Sequence, residues 1–398
     1  DGHTNTYTYD EEGNLTALIN PKGTRTEYVY DEVGQLIQET NGAGYTLYYT
    51  YSPLGQLESI RDEEAELLHR EFEPGGRLKF MERIDGLPTT YEYEANGNLK
   101  KVHTLADENI IYHYDNRGRV LSVEGIDGKQ ETYTYDERGF LCTVRSGKNQ
   151  GDSYAYDGNG NLTKLTDAMG NETIYRYDAM NRLIEIDRYA GKEAKDKIPL
   201  RLCYERDLLG NVLCVTDEAG RKERYTYDAA GRMLTKIDRE SNLTSYRYSC
   251  EGRLLQISYA DGKESSFSYE SNGALREVQD WTGKTVMEND TLGRVLQLHY
   301  PNGEKIGYRY NLRGERTGIC YPDGTWCEYT YDEKGRLAEM KEGGDSIHYG
   351  YDFYGRLSKK TLPGEIETEY GYTKDGWLKS IITRGKKDML YENHRYLY

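Results

Sequence analysis

Aspartate is the residue whose recurrence in this sequence most suggests a chemical site. It returns at one fixed place, three residues before a glycine, along the whole chain. Carboxylates can bind calcium, but Ca²⁺ needs about six to eight oxygens that converge on one point. One carboxylate per turn is better explained by hydrogen bonds to the amides of its own turn. The column consists of Asp10, Asp31, Asp115, Asp136, Asp157, Asp178, Asp207, Asp228, Asp290, Asp332 and Asp352.

Histidine shows no spacing typical of a metal or catalytic site. The seven histidines fall at unrelated places, and none stands with cysteine in a zinc pattern. No Gly-x-Ser-x-Gly, His-Glu-x-x-His or phosphate-loop motif occurs. Since no nucleophile, base and orienting group can be assembled, the sequence predicts no catalytic residue, no metal and no cofactor.

The six cysteines follow no repeating spacing, so we expect no disulfide framework. One pair needs separate treatment. If Asp323-Gly324 is a two-residue turn, Cys320 and Cys327 lie opposite each other, with Cα atoms about 5.5 Å apart. That distance is compatible with a disulfide. We favour two free thiols side by side, because this register makes a hydrogen-bonded pair and not the closer type.

The glycine that ends each aspartate turn marks a repeat. It recurs 18 times from Gly13 to Gly376, with Asn181 once in its place, at a spacing of 21 residues with one step of 29 and two of 20. A fixed period of this length indicates a repeat array. We therefore expect residues 1–398 to form a single array of about 18 repeats, with an eight-residue insertion near 188–199 and no separate catalytic domain.

Each repeat has the pattern of a β-hairpin. Tyrosines six and four residues before the marker share one face of a strand, and Asp and Gly form a type I turn closed by a left-handed residue. Apolar residues follow two and five places after the marker, and we favour a bulge that keeps them on one face over packing on opposite sides. Asp-Gly and Asn-Gly links supply the second turn. The clearest turn residues are Asp10, Gly13, Asp31, Gly34, Asp136, Gly139, Asp157, Gly160, Asp228, Gly231, Asp332 and Gly335.

These hairpins predict an all-β meander of roughly 36 strands, two per repeat. A sheet that large cannot stay flat, because strands twist. We expect it to wind into a spiral whose successive turns meet edge to edge. The net charge of −16 argues against nucleic acid or an anionic membrane surface as partner. No apolar run reaches the ~18 residues of a membrane span.

The unit Tyr-x-Tyr-Asp-x-x-Gly-(Asn or Arg)-Leu resembles the RHS/YD-repeat family, and the motif extends from Tyr7 to Leu378. Bacterial polymorphic toxins, cocoons of insecticidal toxin complexes and teneurins belong to that family. The resemblance implies a hollow β-shell that encloses a cargo, in toxins a C-terminal toxic domain in cis. It also implies a secreted or cell-surface protein. The chain begins in what reads as the turn of a preceding repeat, so we expect a segment of a larger shell.

Two features leave alternatives open. The Pro-rich, Asp-Pro-containing motif that closes toxin-type shells does not occur here, and no toxin domain is visible. The resemblance therefore also allows a cell-surface adhesion or carbohydrate-binding module with glycan partners. The tyrosine columns either stiffen the sheet by cross-strand pairing, which we favour, or bind sugars or cargo. An enzyme is the least supported function.

Some residues depart from the repeat and could mark a partner, seam or cargo contact. Arg70, Arg206 and Asn289 replace column tyrosines, and Arg316 replaces the apolar residue after the turn. The acidic run 62–66 is either a short helical turn or a longer polar link. Such charge runs are usually solvated.

Overall fold

The computed structural model describes residues 4–104, 108–126, 128–147, 151–190, 198–373, 376–386 and 389–397. These residues form 37 β-strands in one antiparallel sheet and contain no α-helix. The chain divides into two units, which are described separately below. Unit 1 comprises residues 1–109, 268–278 and 282–398, and unit 2 comprises residues 110–267 and 279–281.

The first half of the sheet contains β1 (Thr6–Tyr9), β2 (Leu15–Ile19), β3 (Arg25–Tyr30), β4 (Leu36–Thr40), β5 (Thr46–Tyr51), β6 (Leu57–Arg61), β7 (Glu66–Phe72), β8 (Leu78–Arg83), β9 (Thr89–Tyr93), β10 (Leu99–Thr104), β11 (Asn109–Tyr114), β12 (Val120–Glu124), β13 (Gln130–Tyr135), β14 (Leu141–Ser146), β15 (Asp152–Tyr156), β16 (Leu162–Thr166), β17 (Glu172–Tyr177) and β18 (Leu183–Tyr189). The second half contains β19 (Leu200–Arg206), β20 (Val212–Thr216), β21 (Lys222–Tyr227), β22 (Met233–Ile237), β23 (Leu243–Tyr248), β24 (Leu254–Ser258), β25 (Glu264–Tyr269), β26 (Leu275–Asp280), β27 (Gly283–Asn289), β28 (Val295–His299), β29 (Lys305–Tyr310), β30 (Arg316–Cys320), β31 (Trp326–Tyr331), β32 (Leu337–Glu342), β33 (Asp345–Tyr351), β34 (Leu357–Leu362), β35 (Ile366–Tyr372), β36 (Leu378–Arg384) and β37 (Leu390–Arg395).

A β-bulge sets the register of every hairpin that is joined by a turn of the repeat marker and whose pairing is described. In the β1–β2 hairpin, Tyr9 pairs with Leu15 and Tyr7 pairs with Leu18, while Thr16 is the extra residue. Residues directly opposite each other share a face. The bulge favoured from the spacing is therefore present, and it brings both leucines onto the face of the two tyrosines. Alternate strand positions carry the more polar opposite face, where the Thr50 and Ser59 hydroxyls bond at 2.7 Å.

The two kinds of turn have the same construction. In the first repeat the Gly13 amide donates to the Asp10 carbonyl at 3.2 Å, and in the following link the Gly23 amide donates to Asn20 at 2.8 Å. Both glycines have positive φ. Asn181, the one marker that is not glycine, has φ 60°, which asparagine tolerates better than other non-glycine residues.

Two irregular segments flank ordinary strands. The acidic run makes a tight turn over Asp62–Ala65 and continues directly into β7, so it contains no helical turn. The insertion lengthens the β18–β19 hairpin, in which Arg188 pairs with Leu200. Its residues 191–197 lie outside the described part of the chain.

Few apolar side chains are buried in the part of the chain that is described. They are Ala17, Leu68, Ile186, Cys214 and Cys327. Most residues of the tyrosine and leucine columns are half-buried.

Candidate functional site

The predicted turn residues share one geometry. In all six turns the glycine amide donates to the aspartate carbonyl, and the glycine φ lies between 75° and 98°. The aspartate Oδ1 accepts from the backbone amide of the residue after the glycine, at 2.7 to 3.0 Å. The turns are those of Asp10, Asp31, Asp136, Asp157, Asp228 and Asp332.

Hydrogen bonds within the turns also lower the pKa values of the aspartate carboxylates. The Asn14 amide side chain bonds Asp10 Oδ2 at 3.0 Å and is the main cause that lowers the pKa of Asp10. In Asp228 the backbone amide of Arg232 is the main cause of the lowered pKa. These carboxylates are thus occupied by their own turns. No group of three His, Cys, Asp or Glu side chains among the described residues is arranged to hold a metal ion.

The second tyrosine of the pair closes a gap between repeats. The β2–β3 ladder covers Ala17–Ile19 but not Leu15, because β2 bulges there. The Tyr30 hydroxyl donates to the Leu15 carbonyl at 3.0 Å and replaces the missing strand bond. The same contact recurs at 2.7 to 3.0 Å in the described residues at Tyr51, Tyr93, Tyr135, Tyr177, Tyr227, Tyr310, Tyr331, Tyr351 and Tyr372. This requirement for a hydroxyl accounts for tyrosine, and not phenylalanine, at the second position of the pair.

Arginine links the aspartate turn to this tyrosine. Arg119 Nε donates to Asp115 at 2.7 Å, and its guanidinium lies 4.8 Å from the ring centre of Tyr135 in the next repeat. Its Nη1 donates to the Asp136 carbonyl at 3.3 Å. Cation–π contacts of this kind contribute about 0.5–1 kcal/mol at exposed sites. Arg294 makes the same set of contacts with its own neighbours.

Two residues that replace the second tyrosine, Arg206 and Asn289, make the same kind of hydrogen bond as that tyrosine. Arg206 Nε donates to the Leu183 carbonyl at 3.1 Å, and Asn289 Nδ2 donates to the Leu275 carbonyl at 2.9 Å. These carbonyls occupy the place that Leu15 occupies for Tyr30. The expectation that these two residues mark a partner or cargo contact is therefore replaced by a structural reason.

The other two departures have different surroundings. The Arg316 carbonyl accepts a hydrogen bond from the Tyr331 hydroxyl at 2.7 Å, as the carbonyl of the usual apolar residue does in other repeats. Its guanidinium lies 5.3 Å from the ring centre of Tyr329. Arg70 Nε is a buried nitrogen with no hydrogen-bond partner among the described residues.

Arg206 allows a test of the donor role. Arg206→Ala should lower the free energy of unfolding by about 2 kcal/mol, because the Leu183 and Gly210 carbonyls both lose a charged donor. Arg206→Tyr should retain most of the stability, since a hydroxyl serves the same carbonyl elsewhere. Urea unfolding of the three proteins makes the comparison. Equal losses in both variants would contradict the equivalence.

A buried carboxylate joins distant parts of unit 1. Asp62 is 4% exposed. Its Oδ1 accepts from the amides of Glu64 and Ala65 at 2.9 and 2.8 Å. Arg313, 251 residues further along the chain, donates Nε to Oδ2 at 2.7 Å and Nη2 to Oδ1 at 3.1 Å. The Tyr45 hydroxyl completes the group at 3.0 Å from Oδ2.

The pKa values follow from this geometry. Burial alone would raise the pKa of Asp62, but hydrogen bonds from Arg313 and the turn amides outweigh it and lower the pKa to about 2. Burial and the bond to Asp62 raise the pKa of Tyr45 to about 12. The acidic run was expected to face solvent. Its first residue, Asp62, is instead buried and accepts hydrogen bonds from Arg313.

Further contacts in unit 1 bring the same two kinds of turn together. Lys22 forms an ion pair with Glu270, and the Thr24 hydroxyl donates to the Thr291 carbonyl at 3.0 Å. The Tyr354 hydroxyl bonds Glu108 at 3.1 Å. In each case a link segment within residues 1–109 meets a turn of the repeat marker 246 to 267 residues later. The sequence predicted that successive windings of the sheet meet edge to edge. Within unit 1, these contacts between β-turns are where two strand borders meet.

Unit 2 contains a separate ion cluster beside the insertion. Asp187 in β18 is 0% exposed and accepts from Arg201 Nε and Nη2 at 2.7 and 2.9 Å. Arg176 Nη1 bonds Asp187 at 2.8 Å, and Glu185 pairs with both arginines. The hydrogen bonds from Arg201 are the main cause that lowers the pKa of Asp187. The cluster ties together the three strands that support the longer hairpin.

The predicted register of Cys320 and Cys327 is wrong. Cys320 pairs with Trp326, and Cys327 pairs with Ile319. The link is a four-residue turn with a left-handed Gly324, not a two-residue turn, so the strands are offset by one residue. A shift of one residue places the two side chains on opposite faces. Both thiols are free, and Cys327 is 1% exposed.

Thiol labelling should reflect this arrangement. In native protein without reductant, maleimide should modify exposed Cys250 rapidly and leave Cys327 unmodified until the protein is denatured. Prior reduction should change the labelling of neither Cys320 nor Cys327. An increase at both positions after reduction, measured by peptide mass spectrometry, would restore the disulfide hypothesis.

Comparisons with known proteins agree with this geometry. The Teneurin YD-shell family model matches residues 56–195 and 186–354. No curated protein sequence matches the chain. In the described residues no helix is long and apolar enough to cross a membrane.

Several solved structures share the fold. The crystal structure of TcdB2-TccC3 superposes with a TM-score of 0.73 at 14% identity, over 99% of this chain and 28% of that chain. The structure of TcdB2-TccC3-Cdc42 gives 0.65 at 13% identity, over 98% and 29%. The Photorhabdus luminescens Tc holotoxin pore gives 0.56 at 14% identity, over 100% and 26%.

This chain thus spans less than a third of each of those solved chains. At such identities the superpositions establish the fold alone. The family match is independent of them and covers most of the sequence. From the repeated hairpin, its tyrosine and aspartate contacts and this match, the chain belongs to the RHS/YD-repeat family of shell-forming proteins.

Proposed function

We propose that this chain is part of a shell wall that encloses a protein cargo, and that the cargo is a toxin domain on the C-terminal side of the same polypeptide. The observation that carries the proposal is the contact between distant β-turns in unit 1, in which Arg313 donates hydrogen bonds to the buried carboxylate of Asp62. A contact of this kind joins one stretch of sheet to another without a second layer of structure.

The side-chain chemistry supports a wall more than a reactive surface. The aspartates are bonded to their own turns, and the second tyrosine of each pair gives its hydroxyl to a backbone carbonyl. Groups committed in this way stiffen the sheet. The proposal extends to one continuous array over residues 1–398 and to a secreted or cell-surface bacterial protein, as the Tc holotoxin relative suggests.

Cryo-electron microscopy of the complete polypeptide tests the proposal. We expect density for a polypeptide on the inner side of the sheet, shielded from solvent. Trypsin should cleave that segment faster when Arg313→Ala and Asp62→Ala are combined, because the turn contact is lost. A sheet that encloses no volume, or a cargo equally sensitive in both proteins, would refute encapsulation.

A carbohydrate-binding or adhesion module is the second candidate. Trp281 in unit 2 favours it, because the ring is 57% exposed and stands edge-on to Tyr259 with centroids 5.8 Å apart. Exposed aromatic faces can stack on sugars. Glycan-array binding that Trp281→Ala abolishes would support this function, and an array without signal for the native protein would exclude it for the glycans tested.

A further inference from the structure

Two borders of the sheet meet inside unit 1, and we call their meeting the seam. One border consists of link turns, which join successive repeats within residues 1–109. The other consists of marker turns, which end at the repeat glycine. Turns of one kind have the same backbone hydrogen bond in every repeat. The side chains at the seam must therefore distinguish one alignment of the two borders from another.

The contacts at the seam share one alignment. Counted by the repeat glycine, the first link turn meets the thirteenth marker turn, the third meets the fifteenth, and the fifth meets the seventeenth. The offset is twelve repeats in each case. The first link turn also reaches the fourteenth marker turn through Thr24, so it lies between two marker turns. The three contacts are Lys22 with Glu270, Asp62 with Arg313, and Glu108 with Tyr354.

Two of these contacts are ion pairs that are largely shielded from solvent. The four side chains, Lys22, Glu270, Asp62 and Arg313, are each at most 23% exposed. The link turn supplies the cation in the first pair and the anion in the second. A buried ion pair adds little stability over apolar residues, but a buried charge without its partner is costly. Pairs of opposite polarity can therefore specify an alignment.

A slip to an offset of eleven repeats would remove both ion pairs. Asp62 would face Leu292, and Lys22 would face Ser249, by their positions in the repeat. Neither a leucine nor a serine side chain carries a charge. Both buried ions would then lose their partners, and mismatched charges are an effective way to exclude a wrong alignment.

A slip to an offset of thirteen repeats would keep the signs but weaken both pairs. Asp62 would face Lys334, and Lys22 would face Asp290. Lysine lacks the planar guanidinium by which Arg313 bonds both carboxylate oxygens. Asp290 already accepts a hydrogen bond from its own turn residue Arg294 at 2.6 Å. The offset of twelve is thus the best match for both buried charges.

We propose that the ion pairs Lys22–Glu270 and Asp62–Arg313 determine the register of the seam, that is, the offset of twelve repeats between its two borders. The twist of the sheet brings the borders together, and the buried charges select one alignment among its neighbours. This role is distinct from stabilising the fold, and it does not depend on a cargo.

Moving the arginine by one repeat tests the proposal in the full chain. The variant Arg313→Leu/Leu292→Arg exchanges two turn residues, so composition and net charge stay unchanged. It also carries Lys22→Met/Glu270→Gln, so that the first ion pair does not hold the native alignment. Because Asp62 then finds its arginine one repeat earlier, a substantial fraction of the molecules should adopt the offset of eleven.

Engineered cysteine pairs report the offset. Glu108→Cys with Tyr354→Cys joins residues that are in contact at the offset of twelve. Glu108→Cys with Lys334→Cys joins the corresponding residues at the offset of eleven. Disulfides formed under mild oxidation are identified by peptide mass spectrometry. The otherwise native chain should cross-link through the first pair and not the second, and the exchanged variant should gain cross-links through the second.

A matched control separates attraction to the charge from general loosening of the seam. Asp62→Asn keeps the side-chain oxygen that accepts from the turn amides but removes the charge. Added to the exchanged variant, it should abolish the preference for the offset of eleven. Circular dichroism establishes that each variant is folded. Cross-links of the exchanged variant through the native pair alone, or a preference for eleven that survives Asp62→Asn, would overturn the proposal.

A seam without buried charges provides a second test. Lys22→Met, Glu270→Gln, Asp62→Asn and Arg313→Met replace the ions by neutral side chains of similar size, so the chain should still fold. It should cross-link through both cysteine pairs, because nothing then favours one offset. If this neutral variant cross-links through the native pair alone, the ion pairs do not determine the register.

Discussion

Replacing Arg313 with alanine should lower the free energy of unfolding by about 3–5 kcal/mol, because it leaves the buried carboxylate of Asp62 without its charged partner. The expected loss exceeds that of an exposed ion pair, since Asp62 is 4% exposed and Arg313 donates two hydrogen bonds to it. Urea unfolding measures the total effect. Hydrogen exchange at the Glu64 and Ala65 amides measures the effect on the turn itself.

The pH dependence of this variant has a definite sign. The folded pKa of Asp62 is lowered from 3.8 to about 2, so its stabilising contribution is fully present above pH 3.8 and disappears as pH falls through about 2. The difference between native protein and Arg313→Ala should therefore be constant near neutral pH and shrink in acid.

Asp62→Asn is the matched control for the Arg313 variant. It removes the charge, keeps much of the shape, and should make a subsequent Arg313→Ala change less costly than in the native background. Additive losses in the double variant, or an Arg313→Ala effect that persists undiminished at pH 2, would contradict an electrostatic contact.

The combined change Tyr135→Phe, Tyr177→Phe and Tyr227→Phe should lower the free energy of unfolding by about 3 kcal/mol, or about 1 kcal/mol per hydroxyl. Each hydroxyl donates at 2.8 to 2.9 Å to a carbonyl that the strand ladder leaves without a partner. The rings stay, so the variant isolates the hydrogen bond from the packing. Chemical denaturation of the purified chain provides the measurement.

The first tyrosine of each pair supplies a control on the same face. The hydroxyls of Tyr133 and Tyr225 donate to Glu131 and Glu223 of their own strands, and not to the backbone of another hairpin. Tyr133→Phe/Tyr225→Phe should therefore cost less per hydroxyl, because water can satisfy the carboxylates. If both positions cost the same, the backbone contact has no special role.

Local features of this protein were predictable because each is formed by residues that lie close together within one repeat. The Asp10 and Gly13 turn, the left-handed Asn181 and the bulge after the turn all follow from residue types at fixed spacing. The antiparallel sheet follows from those hairpins, and the family resemblance from their period. The hydroxyl contact between repeats could have been anticipated from one unused signal, the large excess of tyrosine over phenylalanine.

The offset at Cys320 shows the limit of this local reasoning. The turn at Asp323-Gly324 is longer than the two-residue turn expected from its sequence, and that difference shifts the register by one residue and decides which residues face each other. The substitution at Arg206 is a second example, because the sequence marks it as a departure while the structure shows the same carbonyl receiving a different donor.

By itself the sequence determined the hairpin, its turns and the fact that its two tyrosines share one face of a strand, since each depends on neighbours a few residues apart. Tertiary structure alone decided what the acidic run does. Asp62 and Arg313 are 251 residues apart, and no periodicity of 21 residues specifies which distant turn meets which. That pairing depends on accumulated twist and on the strand ends brought together, so only the folded sheet shows that a charge expected in water is buried against arginine.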